Sequence, residues 1–107
     1  MNTSTIQSLN DTFRSTFVGG QVMMTAGVNS LPPELLAELL NKVRTFESFD
    51  NDNDPHREHD FGSTDVDGEK FFWKIDYYDT AMEFASPNPS DPRVTTRVLT
   101  IMRADEY

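Results

Sequence analysis

Ile6, Leu9, Phe13 and Phe17 recur at three- and four-residue spacing. That period puts them on one stripe and predicts an amphipathic helix over 4–18. Ser4 and Gln7 fit the pattern of a capping box, and Gly19-Gly20 supplies the permissive backbone on which helices stop. In QVMMTA (21–26) the pattern changes to alternation, with Val22 and Met24 on one side and Met23 and Thr25 on the other. That is a short strand, its flexible methionines suited to filling gaps in a core. After a loop over 27–31, Pro33 suits the first position of a second helix, over 33–46. Leu35, Leu36, Leu39, Leu40, Val43 and Phe46 give it a broad apolar face, and Glu38 and Lys42 stand four apart on the wet side.

Asp67-Gly68 is a two-residue hairpin turn signal. With Val66 opposite Glu69, Thr64 faces Phe71, Gly62 faces Trp73 and Asp60 faces Ile75. Phe71, Trp73, Ile75 and Tyr77 then share a core face, and Gly62 leaves room for the indole. The opposite face carries Phe72, Lys74, Asp76 and Tyr78. Alternation in 80–85 predicts a short further strand with Met82 and Phe84 inward. SPNPSDP (86–92) is a loop, and VTTRVLTIM (94–102) reads as the last strand, central in the sheet. The order α-β-α-β-β-(β)-β predicts an α+β fold: two helices on one face of a mostly antiparallel sheet of four to five strands. One domain over 1–107 is expected, with the second sheet face partly uncovered.

Charge changes this picture in one region. The chain carries a net charge of −9. Asp50, Asp52, Asp54, Glu58, Asp60, Asp65, Asp67 and Glu69 lie within 50–69, against Arg57 alone. Such a patch repels nucleic acid and attracts cations or basic protein surfaces. The chain has no cysteine, which excludes disulfides and thiolate metal sites. No apolar run approaches the ~20 residues of a membrane span, and MNTSTIQSLNDTF lacks the basic start and apolar core of a signal peptide. A soluble cytoplasmic protein is the expectation.

The segments LNDTFR, GGQVMMTAGV, NDNDPHREHDFG, DGEKFFWKIDYYD and SPNPSDPRVTTRVLTIMRADEY together resemble a family of small alphaproteobacterial proteins known as domain of unknown function 3768. The resemblance covers nearly the whole chain. It brings no established activity. The association of the family's members with plasmids and other mobile elements implies a role in conflict between element and host.

Three constellations are candidates for chemistry. Asp50, Asp52 and Asp54 resemble the start of a calcium loop, but Pro55 stands where the loop needs glycine and Phe61 where it needs a bidentate glutamate. His56, His59 and Asp60 have the donor types for a divalent metal, with Glu58 as a base, although the spacing lies in a loop rather than on a helix. Trp73, Tyr77, Tyr78, Phe72 and Lys74 could stack single-stranded nucleic acid, but the basic groove this requires is missing and the surrounding charge has the wrong sign.

The expectation is therefore a non-enzymatic interaction protein without a cofactor. Its binding surface comprises Asp50, Asp52, Asp54, Glu58, Asp60, Asp65, Asp67, Phe72 and Tyr78. Its partner is a basic protein surface, such as the nucleic-acid site of a host protein, and an anti-CRISPR or anti-restriction inhibitor is the concrete form. The alternatives are a small metal-dependent hydrolase using His56, His59 and Asp60, and a homodimeric structural module.

Overall fold

The computed structural model describes residues 3–107. Helix α1 spans Thr3–Thr16, strand β1 Gly20–Met24, the one-turn helix α2 Ala26–Asn29 and helix α3 Pro33–Arg44. Strands β2 (Phe61–Val66), β3 (Glu69–Tyr78) and β4 (Thr96–Arg103) follow, and a 3-10 turn covers Ala104–Glu106. The sheet order is β1-β4-β3-β2. β1 runs parallel to β4, and the other two pairings are antiparallel. The fold is α+β, with β4 central as expected.

The hairpin has the predicted register: Val66 pairs with Glu69, Thr64 with Phe71 and Gly62 with Trp73. Asp67 (φ 53°) and Gly68 (φ 77°) both take the left-handed conformation of a two-residue hairpin turn. Beyond the strand, the Ile75 amide donates to the Asp60 carbonyl at 2.8 Å. Phe71, Trp73 and Ile75 are buried, and with Leu99 and Ile101 of β4 they meet Phe13, Val28, Leu39 and Val43 from the helix layer. Leu35, Leu36, Leu40 and Phe46 border this core. The Glu38–Lys42 pair closes at 3.3 Å. Such an exposed pair contributes at most a few tenths of a kcal/mol, roughly 0.3–0.5.

Several expectations are corrected. α1 ends at Thr16, because Phe17 itself takes φ 60° before Gly19 does. Gln7 does not cap the helix; its side chain donates to the Arg57 carbonyl at 2.9 Å. Part of the expected 27–31 loop is α2. Met23 is 53% exposed and fills no gap, although Met24 packs against the core as predicted. Residues 80–85 form a turn, not a strand. Asp79 accepts the Glu83 amide at 3.0 Å and Met82 takes φ 60°, leaving only a bridge between Tyr78 and Ala85. Met82 and Phe84 accordingly point outward, at 41% and 71% exposure. The 3-10 turn at the polar end is tied to the fold through Glu106. Glu106 accepts from Thr25 Oγ1 at 2.6 Å, from the Gly27 amide at 2.9 Å and from the Arg103 amide at 2.9 Å.

Candidate functional site

Two regions compete for function: the loop over 45–60, which lies on the helix layer, and the uncovered face of the sheet. The loop is built from local turns. Asp50 Oδ1 accepts the amides of Asp52 and Asn53, each at 2.9 Å. Asn53 Oδ1 accepts the Asp50 amide, and Asn53 Nδ2 donates to the Ser48 carbonyl, again at 2.9 Å. These are the Asx turns that such sequences favour. They fix Asp50 and Asp52 outward, both exposed.

Asp54 is different. It is buried, and its Oδ1 accepts the His59 amide at 3.1 Å. The His59 ring meets three neighbours. Nδ1 lies 2.8 Å from Asp11 Oδ1, Nε2 lies 3.6 Å from Asp54 Oδ2, and the ring stacks flat on Phe49 with centroids 3.8 Å apart. Clefts of about 330 and 240 Å³ open on either side of this stack. Arg14, also buried, donates to Asp11 at 3.0 Å and to the Phe46 carbonyl at 3.1 Å. Its guanidinium lies over the Phe49 and Trp73 rings, 5.2 and 5.1 Å from their centroids. An aspartate–histidine pair has the chemistry of a general base. Here the second ring nitrogen points at another carboxylate, so the geometry is that of a brace pinning the loop to α1.

The metal set is not assembled. Among the described residues no group of three or more histidine, aspartate and glutamate side chains could hold an ion. His56 is exposed, whereas His59 turns toward Asp11 and Asp54. Asp60 sits among carboxylates. Burial, then the charge of Glu58 and, less strongly, that of Asp54, raise its pKa above the ordinary carboxylate value, against its own backbone hydrogen bond and His56. The sign of the linkage follows. Folded Asp60 holds its proton to higher pH than unfolded Asp60, so its charge disfavours the native state at neutral pH. That cost fades as pH falls through the raised pKa toward the ordinary value. Asp60→Asn is expected to raise Tm at neutral pH. The gain should vanish on acidification, which thermal melts at several pH values would reveal.

Beneath the loop lies a buried polar network. Asn10, fully buried in α1, donates to the Glu58 carbonyl at 2.9 Å and to the Tyr77 hydroxyl at 2.7 Å, and accepts from Arg97 Nε at 2.8 Å. The Tyr77 hydroxyl donates to Glu58 Oε1 at 2.7 Å. Burial and the bond to Glu58 push the Tyr77 phenol above its ordinary pKa. Arg97 is buried, donates also to the Pro89 carbonyl, and lies over the Tyr77 ring. Burial lowers its pKa. Sequence reasoning missed Asn10, Asp11, Arg14 and Arg97. The signal was present: Asn10 and Arg14 interrupt the apolar stripe of α1, and Arg97 alternates with Leu99 and Ile101 on the inward face of β4.

On the second sheet face, β3 presents Phe72, Lys74, Asp76 and Tyr78. Phe72 clusters with Phe61 and Tyr107, at centroid distances of 5.4 and 5.3 Å. Lys74 pairs with Asp76 at 3.0 Å. Tyr78 lines a groove of about 540 Å³ with Met23, Met82 and Val98. The expected binding surface is therefore divided. Asp65, Phe72 and Tyr78 share the open face, while Asp50, Asp52, Glu58 and the buried Asp54 belong to the helix side. Asp65 and Asp67 are exposed near the hairpin tip, roughly 15–20 Å from Asp60 at the strand rise.

No helix among the described residues is long and apolar enough to cross a membrane. These features define an acidic α+β domain with one uncovered sheet face. The family described as a protein of unknown function, DUF3768, matches residues 24–106, and the chain belongs to it. No curated protein and no solved structure matches the chain.

Proposed function

We propose that this protein is a non-enzymatic interaction module that docks on a basic surface of a partner protein. The observation that carries this reading is uncompensated charge. Asp50, Asp52, Asp65 and Asp67 are exposed, and none forms an ion pair among the described residues. The chain as a whole carries −9. Fixed charge of one sign steers association with the opposite sign and raises the on-rate. The aromatic cluster at Phe72 and the groove at Tyr78 add surface that gains from being covered. The Nδ1 contact of His59 with Asp11 and its stack on Phe49 support the same reading, since they use the ring as a brace. A nucleic-acid site on a host protein has the complementary charge. An inhibitor of the anti-CRISPR or anti-restriction kind, occupying such a site as a partial DNA mimic, is the specific form of the proposal.

The test uses Asp50→Asn, Asp52→Asn, Asp65→Asn and Asp67→Asn together. Asparagine can still accept the turn hydrogen bonds at position 50 and tolerates the left-handed backbone at 67, so the fold is preserved. Association with a partner captured at low salt from the source cells is expected to slow by about tenfold or more, and the wild-type rate to fall as salt rises. Unchanged association in the fourfold variant would contradict the proposal.

A further inference from the structure

The two edges of the sheet are treated differently. Along β2, α3 packs against the strand and Lys42 Nζ donates to the Asp65 carbonyl at 2.6 Å. β1, at the other end of the sheet, meets α2 at its last residue but is exposed at Gly20, Gln21 and Met23. Its sequence, Gly-Gln-Val-Met-Met, contains no charge and no proline, the usual guards of a strand edge. Val18, just before it, is 72% exposed.

The backbone of β1 shows which groups are free. The Thr25 amide donates to the Ile101 carbonyl at 3.1 Å, so the residues in phase with it, Met23 and Gln21, face β4. Val22 and Met24 then turn their amides and carbonyls outward. The Met24 carbonyl accepts from Asn29 Nδ2 at 3.1 Å, as an outward carbonyl would. The Val22 amide and carbonyl and the Met24 amide have no such partner among the described residues. On the open face Met23 forms the β1 wall of the groove of about 540 Å³, which crosses Val98 and Thr100 of β4 to Tyr78 and Met82.

We propose that the β1 edge, with Met23 on its open-face side, is a strand-addition site for an extended, basic segment of a partner protein. The proposal rests on the docking reading above and names its surface. An added strand would pair with the free groups of Val22 and Met24 and set every second side chain beside Met23 on the open face. Methionine walls adapt to varied apolar side chains. Charge selects the occupant. No lysine or arginine is among the described residues that line the groove, and Asp79 and Glu83 follow Tyr78 and Met82 in the chain. A second copy of this chain, itself at −9, would bring like charge to the same surface.

The probe is a phage-displayed library of random peptides about twelve residues long, more than an edge strand needs. Selected peptides are expected to alternate apolar residues with others that include lysine or arginine. Met23→Lys, which places a cation at the groove, should weaken them by about tenfold or more. Val22→Pro removes only an outward amide and should abolish binding; if it disturbs the fold, Met23→Lys decides alone. Failure to select peptides, or peptides indifferent to Met23→Lys, would overturn the strand-addition site. Peptides weakened by the fourfold acid-to-amide change but not by Met23→Lys would overturn it while leaving the docking reading intact. A concentration-dependent dimer in sedimentation, broken by Met23→Lys, would overturn it in favour of a second copy.

Discussion

Asn10→Leu is expected to cost about 3–5 kcal/mol, a large share of the roughly 5–15 kcal/mol that holds a domain folded. The substitution keeps volume and adds apolar surface, so a simple burial argument would predict stabilisation. The polar network reverses that sign. Arg97 Nε loses its acceptor, and the Tyr77 hydroxyl and Glu58 carbonyl lose the amide that donates to both. Arg97 is 3% exposed and forms no ion pair with a carboxylate among the described residues. A buried cation stripped of a partner is among the most destabilising changes a core can suffer. Urea unfolding would measure the effect as a lowered midpoint. A loss below about 1 kcal/mol would mean that the network contributes little, because water replaces it.

Gly62→Ala should cost about 2–4 kcal/mol, more than overpacking by one methyl usually does. An added Cβ would stand 2.6 Å from Trp73 Nε1 and 2.8 Å from both Trp73 Cε2 and Phe46 Cζ. Neither ring can yield cheaply. Trp73 is fully buried, and Phe46 meets it edge-on with centroids 5.4 Å apart. Because Trp73 is the only tryptophan, its fluorescence reports the site alone. A shifted emission together with a lower Tm is the expected result. An unchanged melt with unchanged emission would show that the hairpin slides to accommodate the methyl.

The parts of this fold that were legible in the sequence are those governed by local rules. The Asp-Gly turn set the register of β2 on β3, and alternation then assigned Trp73 inward and Phe72 outward. Helix spacing placed Leu39 and Val43 in the core, and β-branched residues marked β4. Local rules misled where a side chain competed for the backbone. The alternation of Met82 and Phe84 imitates a strand, but Asp79 caps the Glu83 amide and turns the chain instead. The candidate site was less legible, because its contacts join distant segments. Asp54 looks like one more surface acid in the run, yet it is buried under His59. Asp11 belongs to α1 and approaches His59 only through tertiary packing. The acidic run is contiguous in sequence, but an extended strand carries Asp65 and Asp67 away from the loop. The polar interruptions at Asn10, Arg14 and Arg97 were the available sign that core positions here carry a network.

The central claim is that this protein acts by docking, through exposed acids and the uncovered sheet face, and that the His59 loop is a brace. Amide chemical-shift mapping of the labelled protein with its captured partner tests it most directly. The account predicts changes at Met23, Phe72, Tyr78 and Met82 and at the exposed acids, with those at the acids fading as salt rises. Changes confined to Asp11, Phe49, His59 and the clefts around them would contradict it and place the function in the loop.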